Sequence, residues 1–168
     1  MKKALIGTAV ATGILLSTPS VMADTGYVGI DYQMFRLVTE DSGDFEPEGA
    51  ALRLGGALSD YVMIEGRLGA STGGDAVDNV SFKVDDFMGV YVKTGVDLAD
   101  LVFPYVAIGL TKVDLVSEDE RETEGDMSYG VGADVHFGSI QAGIEWMMLL
   151  DETHYELKTG TLSLAWRF

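Results

Sequence analysis

The chain has no cysteine, only three prolines in 168 residues, and far fewer basic residues (11) than acidic ones (27). Without cysteine it uses no disulfides. A formal net charge of −16 excludes nucleic acid as a partner, because the sign is wrong for a phosphate backbone. No run after Ala23 approaches the ~18 apolar residues that a membrane-spanning helix needs. No stretch reads as an amphipathic helix, and there is no internal repeat, linker or second domain.

The first residues are a case apart. Met1-Lys2-Lys3 is a short basic segment, Ala4 to Ser17 is apolar and uncharged, and Val21-Met22-Ala23 places small residues before Asp24. This is the pattern of a secretory signal peptide cleaved after Ala23. Residues 24–168 then form one domain, 145 residues long by subtraction of 23 from 168. Loss of Lys2 and Lys3 takes the formal charge from −16 to −18.

What remains is rich in hydrophobic residues (47%) and glycine (21 residues), and it alternates. Eight runs carry the period of two that marks a strand between two different environments. They are Tyr27 to Arg36, Ala50 to Leu58, Val62 to Ala70, Phe87 to Val96, Phe103 to Lys112, Ser128 to Phe137, Ile140 to Leu149, and Tyr155 to Phe168. In the last, Leu162, Leu164, Trp166 and Phe168 share one face, and Thr161, Ser163, Ala165 and Arg167 share the other. A soluble sheet rarely leaves such aromatics uncovered at its end. Each run has about the 9–11 residues with which a tilted strand crosses a bilayer. Strands reach across a membrane only as a closed barrel, because unpaired backbone groups are too costly in lipid.

The connections alternate in length. Ser59-Asp60, Asp97 to Asp100 and Gly138-Ser139 are tight turns with turn-forming residues. Leu37 to Gly49, Ser71 to Asp86, Val113 to Met127 and Leu150 to Glu156 are longer. An up-and-down barrel gathers the short turns at one end and the long loops at the other, periplasmic and extracellular respectively. The expected fold is therefore all-β, an eight-stranded antiparallel up-and-down transmembrane barrel.

One face of each run holds Val, Leu, Ile, Tyr, Met and Trp. The other holds Gly, Ala, Thr, Ser and charges: Asp31, Glu65, Asp134 and Glu145 against Arg53, Arg67, Lys93 and Arg167. Four of each sign predict a neutral lumen, and charges buried in a narrow barrel must pair. A soluble ligand-binding barrel would carry the opposite polarity.

These segments resemble a known family. GYVGIDY from Gly26, YVMIEGRLG from Tyr61, FMGVYVKTG from Phe87, PYVAIGLTK from Pro104, YGVGADVHF from Tyr129, AGIEW from Ala142 and the terminal LAWRF are similar to the small eight-stranded outer-membrane β-barrels of the OmpA transmembrane-domain and opacity-protein type. The resemblance covers essentially all of residues 24–168. It implies the bacterial outer membrane, a charged internal network including Glu65, Arg67, Lys93 and Glu145, and passage through periplasmic chaperones to the barrel-assembly machinery. The assembly signal would be Leu164, Trp166 and Phe168, with Leu164 standing where another aromatic is common.

An eight-stranded barrel has an interior that side chains just fill, so the inner charges are expected to plug it. Re-pairing of those charges would instead make a small gated, porin-like channel. An enzyme reading, modification of lipid A by a hydroxyl, a histidine and a carboxylate, finds its nearest candidates in His136, Ser139 and Glu145. Their places argue against it. His136 and Ser139 flank a periplasmic turn, Glu145 lies several residues up the next strand, and a triad is recognised by mutual geometry. His154 has no serine beside it.

The long connections are acidic: Glu40, Asp41, Asp44, Glu46 and Glu48; Asp75, Asp78, Asp85 and Asp86; Glu118, Asp119, Glu120, Glu122, Glu124 and Asp126; Asp151, Glu152 and Glu156. A solvated face accounts for them better than loose divalent-cation binding, since no spacing matches an EF-hand. Arg36, Lys112 and Lys158 have outward parity at extracellular strand ends, where basic side chains snorkel toward lipopolysaccharide phosphates. Tyr129, Trp146 and Tyr155 on that rim, with Phe137, Trp166 and Phe168 on the other, would form aromatic girdles. The expectation is a non-enzymatic monomer with a structural or surface-interaction role, outer-membrane lipid and lipopolysaccharide for partners, and no cofactor or metal.

Overall fold

In the computed structural model the described residues are 26–39, 43–71, 75–77, 80–117, 120–151 and 155–168. The signal-peptide segment lies outside them, as do Glu40, Asp41, Asp78, Glu118, Asp119, Glu152 and His154. The elements are all strands: β1 (Gly26–Thr39), β2 (Gly43–Phe45), β3 (Glu48–Ser59), β4 (Val62–Ser71), β5 (Asp75–Val77), β6 (Val80–Gly95), β7 (Val102–Ser117), β8 (Glu120–Phe137), β9 (Ile140–Asp151) and β10 (Tyr155–Arg167).

Eight of them pair antiparallel in chain order, and β10 pairs back onto β1, closing the barrel. The closing register runs from Tyr27 opposite Arg167 to Thr39 opposite Tyr155. The seam is finished by the last residue, since Phe168 and Gly26 exchange backbone hydrogen bonds of 2.9 and 3.0 Å. The short β2 adds to β1, and β5 adds to β6. The eight barrel strands are the eight alternating runs of the sequence.

Their faces follow the alternation. Ile30, Leu52, Leu110, Ile144 and Leu164 point out and are exposed, and Asp31, Arg53, Thr111, Glu145 and Ala165 point in and are buried. Exposure of this apolar belt has its physical reason in the lipid that surrounds such a fold.

The connections at one end are short. Ala99 and Asp100 carry φ of 59° and 55° between β6 and β7, the left-handed pair that a tight reversal demands, and Gly138 at 60° reverses the chain between β8 and β9. At the other end the strands overshoot the expected loops. β7 continues to Ser117 and β8 begins at Glu120, paired from Lys112–Gly125 up to Ser117–Glu120. Most of the expected loop Val113 to Met127 is thus a projecting ribbon. Its acidic residues Glu120, Glu122, Glu124 and Asp126 occupy alternate positions, a period of two written in charge instead of apolarity. Likewise β6 begins at Val80, inside the expected loop Ser71 to Asp86.

Candidate functional site

Inside the barrel, small residues on one strand make room for large ones on the next. Tyr105 on β7 stands opposite Gly132 on β8, and a Cβ at Gly132 would sit 2.5 Å from the Tyr105 hydroxyl oxygen. Tyr27 lies over Gly55 of β3 in the same way. Inward glycines therefore let three tyrosine rings, Tyr27, Tyr91 and Tyr105, lie flat against the wall and carry their hydroxyls to the middle.

There they meet the inward charges. Glu65 on β4 is the hub. Its Oε2 accepts from the Tyr27 hydroxyl, from Lys93 Nζ at 3.0 Å and from Arg53 Nη1 at 3.4 Å, and its Oε1 accepts from Arg67 Nε at 2.6 Å. Arg53 Nε also donates to Asp31 Oδ1. Arg67 donates Nη1 and Nη2 to the two oxygens of Glu145, the second at 2.8 Å, and Tyr105 donates to Glu145 Oε2 at 2.9 Å. Lys93 Nζ reaches Asp134 Oδ2 at 3.4 Å. The cations also face rings: the Arg67 guanidinium sits 4.6 Å from the Tyr91 centroid and Lys93 Nζ 4.3 Å from that of Tyr105, an arrangement that partly replaces lost hydration. All seven charged residues are buried. Arg167, the eighth of the sequence analysis, is half-buried at the tight-turn end, outside this network and close enough to His136 to act on it electrostatically.

Above this layer the lumen is mainly apolar, with Thr159 and Ser128 buried among apolar side chains. Phe35, Phe87, Val113, Met147, Leu149 and Leu157 are at most 3% exposed, and the Phe35 and Phe87 rings meet edge to face with centroids 5.9 Å apart. Tyr91 and Thr111 hydroxyls bond at 2.7 Å beneath it, and Ser128 Oγ donates to the Leu149 carbonyl at 2.8 Å. Inward parity marks these residues in the sequence. The apolar layer departs from the expectation of a lumen filled by charges.

The remaining candidates are placed as follows. His136 is buried with Nδ1 3.9 Å from Asp97 Oδ2, Ser139 is exposed in its turn, and Glu145 is occupied by Arg67 and Tyr105, so the three do not meet. Arg36 and Lys158 are direct cross-strand partners on the closing seam, in one outward row with Met148 and Tyr129. Arg36 Nε lies 3.8 Å from Glu46 and Lys158 bonds Glu156. Lys112 is not with them; it stands on β7 opposite Met88 and Gly125. Trp146, Phe137, Trp166 and Phe168 are exposed on the outer face, and the Tyr155 side chain lies outside the described residues.

A closed eight-stranded barrel with an apolar outside and a polar, filled inside is the architecture of small outer-membrane proteins. The family model described as outer membrane protein beta-barrel domain matches residues 8–168. The chain belongs to that family. It is an outer-membrane β-barrel protein with transmembrane strands. Among solved structures it is similar to the attachment invasion locus protein Ail of Yersinia pestis in complex with the heparin analogue sucrose octasulfate, with a TM-score of 0.66, 15% identity, and 88% of this chain and 100% of that chain covered. It is also similar to Neisserial surface protein A, with a TM-score of 0.59, 15% identity, and 85% and 97% covered. Identities this low carry the fold alone. No curated protein matches the sequence.

Proposed function

We propose that this protein is exported by its signal peptide to the outer membrane, is not an enzyme, conducts nothing, and acts through its structure and its extracellular surface. The observation that carries the reading is double closure of the lumen. The Glu65 network fills one level and the Phe35–Phe87 layer fills another. A gate built on re-pairing the charges would open only the first.

The surface offers a ribbon. β6, β7 and β8 pair beyond the barrel, Phe82 with Ser117 and Ser117 with Glu120, whereas β9 pairs β8 only from Tyr129 to Phe137. Ail was solved with a sulfated ligand, and that chemistry does not suit a ribbon bearing Glu120, Glu122, Glu124 and Asp126. The basic pair Arg36 and Lys158 beside Tyr129 fits a different anion, the phosphate of lipopolysaccharide at the membrane surface.

The deciding experiment is conductance of the refolded protein in a planar bilayer, with Glu65→Ala alongside. Both are expected to be silent. Discrete openings in the wild type that change in the variant would overturn the reading in favour of a gated channel.

A further inference from the structure

Among the described residues the buried charges do not balance. Asp31, Glu65, Asp134 and Glu145 face Arg53, Arg67 and Lys93, four against three. A buried uncompensated charge is unfavourable and must find a counter-charge. Arg167, at the tight-turn end, makes no ion pair with these acids among the described residues.

The surplus points to Asp134. It is fully buried. Its Oδ2 has only the Lys93 contact at 3.4 Å, long for a charge-assisted bond. Its Oδ1 has no hydrogen-bond partner among the described residues. Asp134, Gly143, Ser163 and Asp31 are successive cross-strand partners on β8, β9, β10 and β1, forming one inward row. A Cβ at Gly143 would lie 2.2 Å from Asp134 Oδ1 and 2.6 Å from Ser163 Oγ, so the two oxygens are within the sum of those distances, 4.8 Å, of each other. They share a space but not a hydrogen bond. On the far side of Ser163, Asp31 Oδ2 is also buried and without a partner.

These are hard oxygen donors, the kind that suit a hard cation. Charge arithmetic selects its valence. With the neighbouring buried His136 uncharged, one positive unit neutralises the network, whereas a divalent ion would overshoot in a space already faced by Lys93 from β6 and Arg53 from β3. Among the described residues no group of three or more His, Cys, Asp or Glu side chains is disposed to hold a metal ion; the site offers one carboxylate and one hydroxyl. We propose that the lumen binds one alkali cation between Asp134 Oδ1 and Ser163 Oγ, completing the charge balance of the network. Glu65 from β4 and Glu145 from β9 add to the negative field there. This reading does not depend on the surface role.

The test is unfolding of the protein in an uncharged detergent at neutral pH and constant ionic strength, exchanging choline chloride for sodium or potassium chloride. A ligand bound only by the folded state raises the unfolding midpoint and saturates. The midpoint is expected to rise with sodium or potassium and not with choline. Asp134→Asn is expected to abolish the dependence. Ser163→Ala, which keeps the charge and removes a ligand, is expected to weaken apparent cation affinity by about tenfold. Identical midpoints in choline and sodium overturn the proposal, as does a one-proton pH dependence with no cation dependence, which would place a proton on Asp134. If Asp134→Asn does not fold, an unchanged cation dependence in Ser163→Ala overturns it.

Discussion

Arg67 and Glu145 join opposite walls of the barrel. β4 and β9 are four strands apart in either direction around the closed sheet, and the two terminal nitrogens of Arg67 meet the two carboxylate oxygens of Glu145 across the lumen. The pair ties points that are distant in sequence and in the sheet. Removing Glu145 leaves the buried Arg67 with Glu65 as its remaining carboxylate and the Tyr105 hydroxyl without its acceptor, at a cost of about 1–3 kcal/mol. Glu145→Ala is expected to lose that much in urea unfolding. Replacing Arg67 and Glu145 together with Met and Leu is expected to lose less, because Glu65 keeps Lys93 and Arg53 as partners.

Glycine substitutions divide by face. Gly132→Ala drives a methyl into the Tyr105 ring, and overpacking of this kind costs about 1–3 kcal/mol. Gly66 is different, since its nearest neighbours would lie 4.0 Å from a new Cβ. Gly66→Ala is expected to fold and unfold like the wild type. Melting of the two variants side by side checks the contrast.

The apolar layer and the charged layer act in series. Phe35→Ala or Phe87→Ala is expected to cost about 3–5 kcal/mol in stability and still give no conductance, because Glu65 and its partners remain below. Only a variant combining Phe87→Ala with Glu65→Ala is expected to pass ions. Current in the Phe87→Ala single variant would show that the network does not seal the lumen.

The rim basic residues are separable. Arg36→Gln with Lys158→Gln is expected to reduce the stabilisation that added lipopolysaccharide gives to the refolded protein. Lys112→Gln, alone on β7, is expected to change it little. Equal effects would mean general electrostatics rather than a paired site.

The outer face is graded by depth. Leu164→Arg puts a charge on the lipid face, at a cost of about 2–4 kcal/mol if it lies at the bilayer midplane, whereas Met34→Arg, level with Gly160 near the Arg36–Lys158 row, is expected to cost less. Unfolding from liposomes measures both.

Much of this was legible in the sequence, for a physical reason. A period of two between lipid and lumen is enforced at every residue, so Ile30 against Asp31, or Leu52 against Arg53, declares its face without any neighbour being known. The eight strands and the tight turns at Asp97 to Asp100 and Gly138 follow from that. The ribbon was hidden because Glu120, Glu122, Glu124 and Asp126 alternate outside the bilayer, where charge looks like loop. Tyr27, Tyr91 and Tyr105 were hidden for another reason. Their inward parity was visible, but their reach to Glu65, Thr111 and Glu145 depends on which glycine lies on the neighbouring strand, and that is a matter of register. Arg167 shows the limit of counting: parity puts it inside, yet its depth keeps it from the other charges.

The hydrogen bonds between Gly26 and Phe168 make the two ends of the folded chain neighbours. A sheet sealed in this way has no free rim at which it can grow or fray strand by strand. Its final act of formation must bring together the residues most widely separated along the polypeptide, at the largest loop-closure entropy the molecule offers. Pairing of β1 with β10 is therefore the step on which completion waits, and a lesion at that seam would stall a nearly finished barrel rather than weaken a finished one.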